Sequence, residues 1–595
     1  MIPGKIKRRL GYCAQMFRVL WNTDRAFLFF ILADVLLGAM QPFPLLFLAR
    51  ESVDILTDPT RSFRELILVT AALLAADFVI GILDNQVQYV TSVKGNLIGN
   101  KMNEKIFRKC IEMDYELLAR KDIQEKRSLA KKTVEGGSFN NLIRNFRTLA
   151  AGLLTLAGIA VTVAAADVWI LLATAVVIGV NTAAVYRRKE AEYEGFRAAI
   201  PVNRKIDYYD TVSSDFSYMK EIKAFHMGEA LIARQAGLLQ EISAFLRKVF
   251  AGWTVTNGIG ILTNTVLQAL LYLLLGFKLM VRRAITVGDF TLYLTAVLQF
   301  KTALTNIGAA FADLDQNGQY LGDYFEFMNL ANRFDQGNMP LAEAAGEDFV
   351  ITFEDVSFRY PFTEVYALRH INCTVRKGER ICVVGENGSG KTTFIKLLMR
   401  LYDPTEGVIR LNGVDIKNLR YSEYLDFFSA AFQDFKTFAC TIRENVAALQ
   451  EAEEGEVRRA VERIGLGEKV RSLEKGLDTY LYRIYDENGV ELSGGEAQRL
   501  AIARAMCKKA RVMVLDEPTA AIDPKVEAEI FQNFDEIAKN TTSVCTTHRL
   551  AGARSASKIL VFSASRLIET GSHQELLEAE GTYARLYRMQ AQLYL

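Results

Sequence analysis

The sequence predicts a multi-domain chain. An all-α, six-helix transmembrane domain with long cytoplasmic helical extensions comes first. An α/β P-loop domain with a β-rich lobe and a helical subdomain follows it. Three observations predict this. Six apolar runs long enough to cross hydrocarbon fall between residues 26 and 312. From Phe349 the pattern changes to short alternating strands. A glycine loop, Gly385–Thr392, then stands between an apolar strand and a helical stretch. At 595 residues the chain is too long for one ordinary domain. Its net charge of +2 points to no polyanionic partner, so nucleic acid is not expected.

Residues 1–25 carry Lys5, Lys7, Arg8 and Arg9 among apolar residues, which predicts an amphipathic elbow helix on the membrane surface. No cleavable signal peptide is evident. The six spans are placed at about 26–49, 66–90, 148–166, 168–186, 251–281 and 288–312. The third and fourth form a tight hairpin around Asp167. The loops after the second and fourth spans are long and basic, from Lys94 to Arg147 and from Arg187 to Lys248. By the positive-inside rule both face the cytoplasm, as do the N- and C-termini. These loops show helical spacing and few breakers, so they read as helices continuing out of the membrane.

Polar groups inside spans are functional candidates, because a charge at membrane depth is costly unless paired or wetted. Asp34, Asp77 and Lys301 all fall about 12–20 Å deep by helix rise. One alternative is that they line a wet cavity and contact a polar or charged substrate. The other is an internal Asp34–Lys301 pair that only holds the bundle together. Asn257, Asn264 and Gln268 read as interhelical glue.

The transmembrane domain is assigned to 26–313, a linker to 314–347 and the α/β domain to 348–595. The seven cysteines, at 13, 110, 373, 382, 440, 507 and 545, are scattered, which excludes a disulfide framework and a zinc site. Cys382 and Cys545 fall in predicted core strands.

The loop Gly385-Glu386-Asn387-Gly388-Ser389-Gly390-Lys391-Thr392, followed by Thr393, fits G-x-x-x-x-G-K-[ST]. Strand, glycine loop and helix start aim backbone N–H groups at phosphate oxygens. Lys391 would reach the β- and γ-phosphates, and Thr392 would offer its hydroxyl to Mg²⁺. Downstream, Val512–Glu517 is an apolar strand ending in two carboxylates. Placed beside the loop strand, it would bring Asp516 to the Mg²⁺ and Glu517 to a water attacking the γ-phosphate. Ser543–His548 is another strand with a polar end, and His548 could touch that phosphate. Ser493-Gly494-Gly495 opens a helical stretch and makes a second phosphate-binding N-terminus. One nucleotide does not need two such ends from one chain, whereas a dimer sandwiching it would use both.

Over its whole length the sequence resembles the ATP-binding cassette transporters, of the exporter type with membrane and nucleotide-binding parts fused. Gly385–Thr392 matches Walker A, Leu492–Gln498 the family signature and Val512–Glu517 Walker B with its catalytic Glu. His548 matches the switch histidine. Gln433 matches the Q-loop glutamine that senses Mg²⁺ and the γ-phosphate, Tyr360 the aromatic that stacks on adenine, and Asp523 the D-loop. Glu496 departs from the glutamine usual in the signature. The resemblance implies a dimer, with itself or a related half-transporter, holding two ATPs with Mg²⁺ between Walker A of one half and the signature of the other. It implies that helices near Asp114–Arg120 and Lys205–Val212 transmit closure to the spans. It also implies ATP-driven export across a plasma or inner membrane, among membrane lipids, of a small molecule, peptide or lipid. An importer, a flippase and an ATP-gated channel are the rivals.

Overall fold

The computed structural model describes residues 4–592 apart from 58–59, 167, 283–284, 333, 335–336, 362, 519–541 and 549. The chain divides into two compact units. Residues up to 112 and 120–331 form the first; 113–119 and 332–595 form the second.

The first unit is helical. Its N-terminal helix, Gly4–Thr23, buries Cys13, Met16 and Leu20. That face packs on the Val287–Met328 helix, where Cys13 Sγ donates to Leu314 O and Arg9 Nη1 lies 2.8 Å from the buried carboxylate of Asp315. The helix is amphipathic, and its apolar side is occupied by protein. An amphipathic pattern cannot distinguish a lipid surface from a neighbouring helix.

Among the described residues, three helical stretches are long and apolar enough to cross a membrane: Arg25–Thr57, Phe63–Glu112 and Gly228–Met280. The remaining runs lie on helices Ser138–Ala166, Val168–Ser214 and Val287–Met328. Gly228–Met280 has 53 residues, about 80 Å of helix. That is more than twice a hydrocarbon core of roughly 30 Å, so it extends well beyond any span it makes. Val287–Met328 likewise continues through 314–328, inside the stretch read as a linker. The proposed hairpin residue Asp167 lies outside the described residues.

The first span is broken. Helix Arg25–Met40 ends at Gln41, and Pro42 opens the helix Pro42–Thr57. Proline has no N–H to continue the ladder and suits a first helical turn.

The second unit holds two sheets. The smaller contains β1 (Val350–Arg359), β2 (Tyr366–Arg376), β4 (Glu406–Leu411) and β5 (Val414–Asp415) in the antiparallel order β2-β1-β4-β5. The larger contains β3 (Arg380–Gly385), β6 (Phe428–Ala431), β7 (Val512–Asp516), β8 (Thr542–Thr547), β9 (Lys558–Ser563) and β10 (Arg566–Gly571). Its order is β10-β9-β3-β8-β7-β6, parallel except for the β9–β10 hairpin. The Ile381–Val384 run of β3 is buried throughout, as a strand covered on both faces must be. Cys382 belongs to this core, and burial pushes its thiol up to about 12. A smaller helical cluster, built around Val457, Val461 and Leu500, packs beside the sheet.

The strand order corrects one expectation. β7 is not the neighbour of β3, because β8 lies between them. Crossover connections, which set strand order in a parallel sheet, leave no trace in the strand sequences themselves.

Candidate functional site

The loop Gly385–Thr392 connects β3 to the helix Lys391–Leu398. Gly388 has φ 76° and Gly390 φ 107°. L-residues avoid that region, so glycine is required at both turns. Ser389 Oγ is buried with no hydrogen-bond partner, and a phosphate oxygen would supply one. Lys391 is nearly buried and folds back, donating from Nζ to Gly385 O and Glu386 O at 3.1 Å each. Burial lowers its pKa, with Glu517 and Asp516 acting in the opposite direction.

Asp516 reaches the loop across the intervening strand. Thr392 Oγ1 donates to its Oδ1 at 3.2 Å. Thr546, paired with Asp516 in the β7–β8 register, donates to the same oxygen at 2.6 Å. The Thr546 hydroxyl also accepts from Glu517 N at 2.9 Å. One hydroxyl therefore ties the two carboxylate residues together. Hydroxyl and carboxylate oxygens suit Mg²⁺, which keeps several other positions for water and phosphate. Among the described residues no cluster of three or more His, Cys, Asp or Glu could hold a metal alone. The donor set fits a cation that arrives with a phosphate.

Glu517 sits at φ 49°, a rare conformation for a non-glycine residue and common at functional sites. Gln498 Nε2 braces its carbonyl at 3.1 Å. Its carboxylate accepts from Gln433 Nε2 at 2.9 Å, contacts His548 Nε2 and lies 4.0 Å from Lys391 Nζ. Residues 385–392, 433, 516, 517 and 548 thus converge.

Tyr360 hydrogen-bonds Thr393 Oγ1 at 3.1 Å and packs edge-on against Phe358 and Tyr402. Ser493 is the N-cap of the helix Gly494–Cys507, and its hydroxyl and backbone N–H both hydrogen-bond Glu496. Asp523 lies outside the described residues.

Sequence reasoning missed Thr546 and Gln498. Thr546 shares a strand face with His548, two residues on, a signal that needed the β7–β8 register to interpret. Thr546→Val keeps the β-branched shape and deletes the hydroxyl. It should lower kcat for ATP about tenfold, the cost of one mispositioned charge-assisted bond. Unchanged ATPase kinetics would show that Asp516 and Glu517 are held by other contacts.

In the first unit the charges inside the bundle form a different set from the one expected. The partner of Asp34 is Arg147, with Nε 2.7 Å from Oδ1, and not Lys301. The Arg147 Nη2 also bonds Asp84 at 2.6 and 2.8 Å. Gln88 donates to Asp84 at 2.6 Å. A Cβ on Gly38 would meet Arg147 Nη2 at 3.0 Å, so glycine makes room for the guanidinium. Asp77 is only partly buried. Arg147 lies on the Ser138–Ala166 helix rather than in the basic loop that precedes the third run. It lines a cavity of about 420 Å³ beside the Gln41–Pro42 break, with Thr148, Thr155, Thr295, Gln299 and Asn306. Gln299 Nε2 donates to Pro42 O at 3.2 Å. Interhelical glue is supplied by Asn181 Nδ2 and Thr263 Oγ1 at 3.1 Å, whereas Asn264 Oδ1 is buried without a partner.

Residues 368–520 match the family model described as ABC transporter. The subtilin transport ATP-binding protein SpaT of Bacillus subtilis is 25% identical over 590 residues, covering 98% of this chain and 95% of that protein. An ATP-dependent lipid A-core flippase of Methylobacillus flagellatus is 35% identical over 305 residues, 51% of each chain. The corresponding flippase of Burkholderia thailandensis is 32% identical over 399 residues, 64% of this chain and 65% of its own. The chain thus aligns with about half to two thirds of the length of these flippases. A solved structure of a bacterial Atm1-family ABC exporter with ATP bound shares the fold, with a TM-score of 0.84 at 23% identity over 95% of this chain and 99% of that one. With the phosphate loop, the paired carboxylates and the capped Ser-Gly-Gly helix, these matches establish that residues 368–520 form a domain of the ABC transporter family, in a chain that has the fold of an ABC exporter.

Proposed function

We propose that the chain is one half of an ATP-driven exporter in a plasma or inner membrane, working as a dimer of two copies. The observation that carries this reading is the setting of Glu517. A carboxylate held by Gln433, His548 and Lys391 stands beside a phosphate loop whose own lysine is folded back. Incoming phosphate would draw Lys391 off the loop carbonyls and free Glu517 to take a proton from the attacking water. Thr392, Asp516 and Gln433 would hold the Mg²⁺ that arrives with ATP, and that ion would offset charge on the phosphates. Tyr360 would stack on the adenine. One chain carries a complete phosphate loop, Glu517 and Ser493–Gly495, so two copies suffice for two sites.

Asp34 is not free to meet cargo, because Arg147 binds it together with Asp84. The cavity beside the broken first span offers hydroxyls and amides. That lining suits a polar, amide-bearing substrate. The near full-length match to a subtilin transport protein favours a peptide. Lipid is the second reading, favoured by the flippase matches. Reconstituted chain should give ATP-dependent uptake of labelled peptide into inside-out vesicles; movement of labelled lipid alone would favour the flippase.

Closure would reach the spans through the segment following the Phe63–Glu112 helix. Asp114 Oδ2 accepts from Phe334 N at 2.9 Å, and Tyr115 packs edge-on to Tyr402. Asp114→Ala combined with Tyr115→Ala should retain basal ATPase and lose ATP-driven transport. Equal losses of both activities would argue against a transmitting role.

A further inference from the structure

Ser493 has its single hydroxyl proton committed within its own chain. Its Oγ accepts from Glu496 N at 3.3 Å. In return, Glu496 Oε2 accepts from Ser493 N at 2.8 Å and from Ser493 Oγ at 2.9 Å. This is a reciprocal capping box on a 14-residue helix. A serine hydroxyl has one proton to give, and here a carboxylate takes it. The same carboxylate occupies the positive end of the helix, where an anion is stabilised. Lys469 lies 3.9 Å away. Burial acts to raise the Glu496 pKa, but the two Ser493 bonds, with Lys469 and Arg499, outweigh it and hold the carboxyl below its usual range. The group is therefore ionised at neutral pH.

We propose that Glu496 is a built-in competitor for the nucleotide γ-phosphate at Ser493, and that it sets the ATP concentration at which the two halves close. The proposal rests on the reading above that Ser493–Gly495 completes the ATP site of a second copy. For closure, Ser493 must turn its proton from Glu496 to a phosphate oxygen, and two anions must share one helix N-terminus. A glutamine there would keep an acceptor oxygen for Ser493 N–H and remove the charge. Glu496 is a positioning residue: it acts on the nucleotide through Ser493 and through the field at the helix end.

The test is Glu496→Gln in the full-length chain in proteoliposomes, with Mg-ATP as the titrant. KM for ATP should fall roughly fivefold, the value of one charge at a helix terminus, and the change in KM should exceed any change in kcat. The gap between variant and wild type should shrink as salt rises, because screening weakens the repulsion. Glu496→Ala serves as the structural control: it loses the cap, so its Tm should fall while that of Glu496→Gln holds. Equal KM values for Glu496→Gln and wild type overturn the proposal, as does a loss confined to kcat. Wild-type turnover bears separately on the ATPase reading. If the wild type hydrolyses no ATP, that reading fails. The competitor is then judged by the ATP concentration that half-saturates retained nucleotide in the Glu517→Gln background. A fall on adding Glu496→Gln supports it and no shift overturns it.

Discussion

Glu517→Gln will lower steady-state ATP hydrolysis by about 100-fold or more, the scale expected for removing a positioned general base, while ATP still binds. The amide fills the same space and can still contact Gln433 and His548, so the fold and the Asp516–Thr546 tie should persist. It cannot accept a proton from water. ATPase assays on purified protein, paired with equilibrium binding of labelled ATP, separate the two effects. Turnover within a fewfold of wild type would mean that Glu517 is not the base. Loss of binding together with turnover would make its role structural.

Arg147→Leu should be the most damaging single change in the helical unit. Arg147 is the cation for both Asp34 and Asp84, each nearly buried. Removing it leaves two nearly buried carboxylates without a counter-ion, although the Gln88 amide still donates to Asp84. Breaking a buried ion pair from one side costs about 3–5 kcal/mol, enough to lower Tm and the yield of folded protein sharply. The triple variant Arg147→Leu, Asp34→Asn, Asp84→Asn should recover most of the lost Tm, because it removes the charges with their partner. Thermal unfolding in detergent, followed by intrinsic fluorescence, reads both. A single Arg147→Leu with wild-type Tm would contradict the assignment of Arg147 as the counter-ion of the bundle.

What could be read from the sequence depended on how far apart the interacting residues lie along the chain. The phosphate loop was legible because its glycines, Lys391 and Thr392 are contiguous and flanked by strand and helix. Glu517 was legible as a strand-end carboxylate, although the strand between β3 and β7 was not. The Ser493–Glu496 spacing is a capping box in plain sight; its consequence for phosphate binding needed the hydrogen bonds. The bundle charges were obscured for a different reason. Arg147 borders a basic stretch and reads as one more positive-inside residue. Asp84 lies on nearly the same face as Asp77, two turns further along one long helix, and the apolar pattern does not reveal which of its turns meets a neighbour. The N-terminal helix has an amphipathic pattern that fits a membrane surface or a protein one, and its Cys13, Met16 and Leu20 are buried against protein.

The most direct test of the central claim, that two copies share each ATP site, is complementation between two disabled copies. In the Glu517→Gln background, one copy carries Lys391→Ala and the other Ser493→Arg. The measurement is labelled ATP retained after rapid desalting of each copy alone and of the co-expressed pair. The account predicts little retention by either copy alone. It predicts recovery in the mixed dimer, where the intact phosphate loop of the Ser493→Arg copy faces the intact Ser493 of the other. Full retention by the Ser493→Arg copy alone, or no recovery in the pair, would contradict it.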